Sequence, residues 1–134
     1  ILCAVCIGNY FGVSVSLINE AVSNYLPEMN RSQVVKTKDN TLILDAYNAN
    51  PSSMMLAINH FAQQPLTNKH LILGDMFELG DYSNEEHKCI LNELSKHKNI
   101  SCTLIGTHFY EFKNTFLEFS FYKNIYFTIK KIHD

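Results

Sequence analysis

The fold of this chain is decided by residues 42–54, LILDAYNANPSSM. Three apolar residues that end on Asp45 indicate a buried strand, and Asn50 before Pro51 indicates a helix N-cap with proline at the first helical position. The strand therefore leads into a helix through about five small or polar residues, the usual length of a βα loop. Because ligands of open α/β sheets bind outside the carboxyl ends of strands, residues 45–50 are a predicted ligand-binding loop.

Two later stretches repeat this pattern of an apolar strand that ends on small or acidic residues. They are residues 69–75, KHLILGD, and residues 101–107, SCTLIGT. Helices are predicted at 51–64, after a capping box at 83–86 and from about 108 to 119, and a fourth strand at 125–127. This alternation favours an α/β, Rossmann-like fold with a mostly parallel sheet flanked by helices.

The first 28 residues follow a helical pattern. Apolar spacing predicts one helix that ends near Gly12 and a second that begins at a serine cap, at position 14 or 16, and ends at Leu26-Pro27. A polar linker and a short strand near 34–37 follow. We therefore expect a helical hairpin in residues 1–28 and a separate α/β domain in residues 29–134.

The composition predicts a folded protein without a polyanionic partner. The chain has 134 residues, 46% of them hydrophobic, and a formal net charge of -2, which suits one ordinary domain and excludes a generally basic nucleic-acid surface. No run approaches the roughly 20 apolar residues that cross a bilayer, and the start lacks the charged region of a signal peptide. We expect a cytoplasmic monomer with no membrane or nucleic-acid partner. Since the chain begins inside an apolar run without methionine, we also expect it to be a piece of a longer protein.

Cysteines at positions 3, 6, 89 and 102 are too sparse for the disulfide framework of a small secreted protein. Cys3 and Cys6 have the spacing of a metal-ligand pair, but no second Cys or His pair stands at zinc-finger distance. Both lie in an apolar helical pattern, and free cysteine is often buried. We therefore expect core cysteines and no metal site.

The carboxyl ends of the predicted parallel strands form a candidate site. Neighbouring parallel strands end at one edge of a sheet, so we expect a common rim made of Asp45, Gly74-Asp75 and Gly106-Thr107-His108. At such a rim Asp45 either accepts hydrogen bonds from the vicinal hydroxyls of a ribose or caps the next helix, and the residues alone leave both open. The glycines either let a ligand approach the backbone or only supply turn dihedrals.

Three further side chains are candidates for contact with a substrate at this rim. Asp75 and Glu78 can pair with an amine or a metal, although acids in loops are commonly only solvated. His87 can reach the rim from the first turns of its helix, or it is a partly exposed structural histidine.

Arg31 is the only arginine in a chain that otherwise uses lysine. Its planar guanidinium makes two-point contacts with phosphate or carboxylate that lysine cannot imitate. Its place near the predicted domain boundary makes it a candidate for reaching a phosphate held elsewhere. The chain has neither a glycine-rich phosphate loop that ends in Gly-Lys-Ser/Thr nor a paired-glycine dinucleotide fingerprint. It is therefore not expected to hold a nucleoside triphosphate by itself.

Three motifs closely resemble the Mur ligases. They are residues 30–32, NRS; residues 44–54, LDAYNANPSSM; and residues 73–80, LGDMFELG, which Ser83 and His87 follow. The likeness covers the whole chain: residues 1–28 resemble the last two helices of the ATP-binding central domain, and the rest resembles most of the C-terminal domain. The second and third motifs together are typical of the branch that adds D-alanyl-D-alanine to UDP-N-acetylmuramoyl-tripeptide.

This resemblance implies an ATP-dependent amide-bond ligase of peptidoglycan synthesis that works through an acyl phosphate, with Mg²⁺ as a further cofactor. The matching arginine, Arg31, is implied to contact an ATP phosphate, and the matching acid, Asp45, to bind the ribose. Two asparagines lie in the same nucleotide-facing loop, Asn48 and Asn50. The candidates for binding D-alanyl-D-alanine are Asp75, Glu78 and His87.

Parts of the family pattern are missing from this sequence. They are the UDP-sugar domain, the phosphate loop, the magnesium ligands and the end of the C-terminal domain. We therefore expect this chain alone to have no ligase activity and to depend on the missing N-terminal and central domains of the same protein. The alternative is a stand-alone nucleotide-binding or regulatory α/β module, which predicts that this chain alone binds ATP.

Overall fold

A computed structural model describes residues 1–125 in two compact units, the first ending at Asn48 and the second beginning at Ala49. The elements in chain order are α1 (Leu2–Tyr10), α2 (Val15–Ser23), β1 (Gln33–Lys36), β2 (Thr41–Leu44), α3 (Pro51–Gln63), β3 (Lys69–Gly74), a 3-10 turn (Gly80–Tyr82), α4 (Ser83–Leu94), β4 (Ile100–Ile105), α5 (Thr107–Tyr110) and β5 (Ser120–Tyr122). None of the helices in residues 1–125 is long and apolar enough to cross a membrane. The domain boundary expected near residue 28 stays a prediction.

The second unit is a parallel sheet with helices packed against it. Its strand order is β3-β4-β5, with Leu71 opposite Cys102 and Leu104 opposite Phe121. Helices α3, α4 and α5 share one hydrophobic core with these strands. The buried members of that core are Met54, Ile58, Met76, Ile90, Leu91, Leu94, Cys102, Leu104, Phe109, Phe112 and Phe116. This arrangement confirms the predicted α/β fold, with a parallel sheet flanked by helices.

The first unit contains α1, α2 and an antiparallel hairpin of β1 and β2, in which Val35 pairs with Leu42. A tight turn joins the two strands, and in it the Thr37 N–H donates to the Asn40 carbonyl oxygen at 2.8 Å. A connection this short allows only antiparallel pairing. The expectation that the strand before Asp45 belongs to the parallel sheet is therefore wrong. Within residues 1–125, β2 pairs with β1 alone.

Both predicted N-terminal helices are present, but their cysteines do not lie in a core. Ser14 caps α2 by accepting a hydrogen bond from the backbone N–H three residues later, at 3.4 Å. Ile18 is the buried residue of this pair of helices, and it lies against Gly8 of α1. Cys3 and Cys6 are exposed. The prediction that they are core residues is wrong, because the contact between the two helices is made around Gly8 instead.

Helix α4 does not begin with the predicted capping box. Ser83 is its first residue, and Tyr82 at the N-cap position makes no side-chain cap hydrogen bond. An N-cap residue normally has extended dihedrals, whereas Tyr82 belongs to a 3-10 turn with φ -83° and ψ -4°. Glu85 and Glu86 still lie in the first turn, where carboxylates interact favourably with the helix dipole.

The region after β4 folds mainly as turns. Helix α5 ends at Tyr110, so the predicted helix from 108 to 119 is wrong. Phe112 and Phe116 are buried, with their rings 6.3 Å apart edge to face, and they reach the core from turns without a regular helix. The strand β5 that follows was not predicted. The strand predicted at 125–127 lies, apart from Ile125, outside the described residues.

Lys69, at the start of β3, completes the hydrogen bonding at the end of α3. Its ammonium Nζ donates to the carbonyl oxygens of Ala62 at 2.6 Å and Gln64 at 3.1 Å. The residue is 6% exposed, so water does not easily replace these bonds. The last carbonyl groups of a helix have no partner within the helix, and a buried cation satisfies them here.

We expect Lys69→Met to lower the free energy of unfolding by about 2 kcal/mol, because the apolar stem is kept while buried carbonyl groups lose a charged donor. Lys88→Met is the matched control, since Lys88 is exposed on α4, and we expect it to change stability little. Urea denaturation followed by circular dichroism measures both. Equal midpoints for the two variants would contradict this prediction.

Burial raises the pKa of the Cys102 thiol to about 12, whereas Cys3, Cys6 and Cys89 are exposed. Because the thiolate is the nucleophile, we expect iodoacetamide at pH 8 to label the three exposed cysteines of the native protein, and Cys102 only in denaturant. The unfolded thiol ionises near its ordinary pKa of 9.0. The contribution of this buried neutral group to stability is therefore lost as the pH rises from about 9 toward 12. Peptide mass spectrometry identifies the labelled sites, and native labelling of Cys102 at pH 8 would refute the assignment.

Candidate functional site

Arg31 lies in a backbone segment of unusual conformation in the first unit. Met29 and Asn30 before it and Ser32 after it all have positive φ angles, 56°, 56° and 51°. Non-glycine residues adopt this left-handed region at a cost, and such residues persist only where the surroundings hold them. The segment around Arg31 is therefore held by specific contacts.

Two hydrogen bonds tie this segment to the end of β2. The Ser32 N–H donates to Asp45 Oδ1 at 3.0 Å, and the Ala46 N–H donates to the Asn30 carbonyl oxygen at 2.8 Å. The first bond uses the side chain of Asp45, and the second uses the backbone of Ala46. Together they place Arg31 beside Asp45, although the two residues are far apart in sequence.

The guanidinium of Arg31 lies over the ring of Tyr47, with Cζ 3.5 Å from the ring centroid. This is a cation–π contact. Arg31, Asp45 and Tyr47 are all exposed, so the first unit presents a cation, a carboxylate and an aromatic ring to solvent. Tyr47 was not among the residues predicted from sequence. The pairing of β1 with β2 brings Tyr47 to Arg31. No pattern within a few residues of either position predicts this contact.

The two asparagines of the predicted loop have different positions. Asn50 is the N-cap of α3, and its Oδ1 accepts hydrogen bonds from the Ser53 N–H at 3.0 Å and the Ser52 hydroxyl at 2.9 Å. The helix-capping alternative for Asp45 is therefore not realised, since Asn50 performs that task. Asn48 is exposed and ends the first unit.

In the second unit, the carboxylate of Asp75 joins the ends of β3 and β4. Its Oδ2 accepts from the His108 N–H and its Oδ1 from the Phe109 N–H, both at 2.9 Å. Asp75 is 7% exposed, so the amides at the start of α5 replace water around the charge. The structure thus brings Asp75 to Gly106, Thr107 and His108, as expected for adjacent parallel strands. Both carboxylate oxygens of Asp75 are thus engaged in hydrogen bonds that stabilise the fold.

His87 is fully buried, whereas a partly exposed histidine or one at the rim was expected. Its Nε2 accepts a hydrogen bond from the Met76 N–H at 3.1 Å, and its Nδ1 lies 2.6 Å from the Ser83 carbonyl oxygen. An acceptor at Nε2 and a donor at Nδ1 define a neutral imidazole. Asp75 Oδ1 is 3.8 Å from Nε2, which is too long for a hydrogen bond, and this nitrogen has no proton to share. His87 therefore acts as a support for the loop that follows β3.

That loop exposes two side chains. Glu78 is exposed and has a φ of 63°, and Phe77 is 70% exposed with its ring 6.4 Å from that of His108. Of the three residues predicted to contact D-alanyl-D-alanine, Glu78 is the one whose side chain is open to solvent. No group of three potential metal ligands occurs in the described part of the chain.

Gly106 is required by the buried carboxylate. It has a φ of 134°, and the space that a Cβ atom would occupy is already filled by the carboxylate of Asp75. Gly74 at the end of β3 has open space around it.

We expect Gly106→Ala to lower the free energy of unfolding by about 3 kcal/mol, from backbone strain and from displacement of a buried charge. Gly74→Ala is the matched control and should stay within about 0.5 kcal/mol of the parent chain. Guanidinium titration of both variants tests this. A Gly106→Ala variant as stable as Gly74→Ala would show that the carboxylate is not fixed against α5.

Comparison with known proteins places this arrangement in a family. The family model described as "Mur ligase, glutamate ligase domain" matches residues 30–115. The similar proteins include two with the name UDP-N-acetylmuramoyl-tripeptide--D-alanyl-D-alanine ligase. The protein from Bacillus subtilis is 36% identical over 89 residues, which cover 65% of this chain and 20% of the relative. The protein from Rickettsia prowazekii is 29% identical over 107 residues, which cover 78% and 24%.

Solved structures of two MurF proteins are similar over nearly the whole chain. MurF from Acinetobacter baumannii has a TM-score of 0.79 and 25% identity, over 96% of this chain and 29% of that one. MurF ligase from Thermotoga maritima, solved in complex with ADP, has a TM-score of 0.77 and 20% identity over the same shares, a likeness of fold alone. This chain thus spans about a quarter of the length of the proteins it resembles. Because the family model covers more than half of its residues, the chain belongs to the Mur ligase family.

Proposed function

We propose that this chain is the C-terminal part of an ATP-dependent ligase that joins D-alanyl-D-alanine to UDP-N-acetylmuramoyl-tripeptide. The observation that carries the proposal is the exposed pair of Arg31 and Asp45, fixed to each other through the Ser32 N–H. The name shared by the B. subtilis and R. prowazekii relatives supplies the reaction. In this proposal residues 1–28 end the central domain, and the protein works as a cytoplasmic monomer.

Arg31 is proposed to bind a phosphate of ATP. Its contact with Tyr47 uses the face of the guanidinium. The N–H groups lie at the edge of that plane, and they form two-point contacts with phosphate oxygens. An arginine stacked by its face therefore keeps its phosphate-binding edge available.

Asp45 is proposed to bind the ribose. Its Oδ1 accepts from the Ser32 N–H, and the carboxylate remains exposed. A carboxylate has about four lone-pair sites, so Oδ2 is available to accept from the vicinal hydroxyls. Asn48 is proposed to face the same nucleotide, while Asn50 acts by fixing the start of α3.

The reaction consists of two transfers. The γ-phosphoryl group of ATP passes to the carboxylate of the tripeptide, which gives an acyl phosphate and ADP. The amine of D-alanyl-D-alanine then attacks the acyl carbon, inorganic phosphate leaves, and the amine proton is released. In such chemistry positioning and charge stabilisation contribute most of the rate. The contribution of this chain is to close over the nucleotide and fix its phosphate and ribose, so domain closure is a step of catalysis.

Mg²⁺ is proposed to accompany ATP with most of its ligands outside this chain, since the described residues offer no group of three His, Cys, Asp or Glu side chains. We therefore assign no step of the reaction to a metal held by this chain.

The acceptor dipeptide is proposed to meet the loop after β3. The Glu78 carboxylate is exposed there and can pair with the ammonium group of D-alanyl-D-alanine. Asp75 and His87 are proposed to act through this loop, because their polar atoms are engaged with backbone groups of Met76, His108 and Phe109.

The experiment uses the full-length protein that carries this chain, with phosphate release as the assay. We expect Asp45→Asn to raise the KM for ATP about tenfold, since the amide loses the charge that binds the ribose hydroxyls but keeps an oxygen for the Ser32 N–H. The KM for D-alanyl-D-alanine should not change. Asp39→Asn, in the exposed turn between β1 and β2, is the matched control.

The 134-residue chain alone should release no phosphate when given ATP, Mg²⁺, UDP-muramoyl-tripeptide and D-alanyl-D-alanine, and calorimetry should detect only feeble ATP binding. Tight ATP binding by the isolated chain would favour a stand-alone nucleotide-binding module instead. An unchanged KM for ATP in Asp45→Asn would overturn the ribose assignment. A coding sequence upstream of Ile1 without a Gly-Lys-Thr phosphate loop would overturn the ligase itself.

A further inference from the structure

We propose that Tyr47 is a positioning residue, whose ring holds the Arg31 guanidinium ready for the nucleotide phosphate. This inference rests on the proposed function. It adds a residue that touches no substrate and acts on the reaction only through Arg31.

The Arg31 side chain is in direct contact with the Tyr47 ring. Arg31 Cζ lies 3.5 Å from the centroid of the Tyr47 ring, which is van der Waals contact with the guanidinium directly over the π face. An exposed arginine otherwise samples many rotamers, and that freedom is lost when it binds a phosphate. A side chain already held over a ring loses less entropy on binding and binds more tightly.

Tyr47 is exposed to solvent. Its relative exposure is 64%, so burial in a hydrophobic core does not account for an aromatic residue at this position. Its ring contact among the described residues is with Arg31. The contact with the Arg31 guanidinium explains why a large aromatic side chain is exposed to solvent at this position.

The backbone on either side of Arg31 is itself held in place. The positive φ angles of Asn30 and Ser32 are unfavourable, and the bonds from Ser32 to Asp45 and from Ala46 to Asn30 hold them. These bonds fix the Cα of Arg31, and Tyr47 fixes the end of its side chain. The backbone and the side chain of Arg31 are thus restrained by separate contacts. We expect this of a guanidinium that has to point toward a ligand in one orientation.

The test is a double-mutant cycle in the full-length protein, with kcat and the KM for each substrate as readouts. We expect Tyr47→Leu to raise the KM for ATP about fivefold, since a solvent-exposed cation–π contact is lost. The KM for D-alanyl-D-alanine should stay unchanged. Tyr47→Phe keeps the ring and should restore most of the affinity for ATP. In an Arg31→Ala background, Tyr47→Leu should have no further effect, because the group on which it acts is gone.

Tyr25→Leu is the matched control, since Tyr25 belongs to the same unit and is 58% exposed. The thermal midpoint of each variant shows whether it is folded. A Tyr47→Leu effect that persists in the Arg31→Ala background, or a Tyr47→Phe variant as defective as Tyr47→Leu, would overturn the positioning role. So would a defective Arg31→Ala beside a normal Tyr47→Leu, and that outcome leaves the proposed function intact. A normal KM for ATP in Arg31→Ala overturns both the nucleotide role of Arg31 and this inference.

Discussion

The structure of the second unit depends on one buried carboxylate that accepts hydrogen bonds from two backbone N–H groups. Asp75 directly follows β3, and its oxygens accept hydrogen bonds from the His108 and Phe109 N–H groups at the start of α5. A charge that is removed from water is tolerated only when such donors replace the water. The interaction therefore fixes α5 to the carboxyl end of β3. The loop between Met76 and Glu78 begins from that fixed point and is held further by His87.

The first unit uses the same chemistry in an exposed place. Asp45 also follows a strand and also accepts a backbone amide, that of Ser32. The difference is burial, since Asp75 is enclosed and Asp45 lies in solvent. A buried carboxylate with both oxygens occupied is a structural part of the fold. An exposed one with a single bond can be held in place and still receive a ligand, which supports the proposal that Asp45 and not Asp75 binds the nucleotide.

Local signals in the sequence predicted the local structure well. Asn50 with Pro51 marked the start of α3, Ser14 was one of two caps considered for α2, and the apolar runs before Asp75 and Gly106 are strands of a parallel sheet. These signals depend on side chains and backbone groups only a few residues apart. The capping box predicted at residues 83–86 is the exception, because a 3-10 turn precedes that helix.

The other errors arose where a partner distant in sequence decides the outcome. The same apolar run that ends on Asp45 suits a parallel sheet or a hairpin, and the short turn at residues 37–40 selects the hairpin. Phe109, Phe112 and Phe116 keep the i, i+3, i+7 spacing of a helix, but the regular helix ends at Tyr110 and turns bring the later rings to the core. The role of His87 depends on its hydrogen bond with Met76, and the role of Tyr47 depends on its contact with Arg31. Neither partner is a near neighbour in sequence.

The close approach of Gly106 to Asp75 restricts how this chain can vary. One small volume is shared by two positions, and the carboxylate of residue 75 already fills it. A side chain at position 106 becomes acceptable only if residue 75 gives up that space, and then the amides of α5 need another acceptor. In a combinatorial library the two positions therefore have to be randomised together, because the residues tolerated at one position depend on the residue at the other.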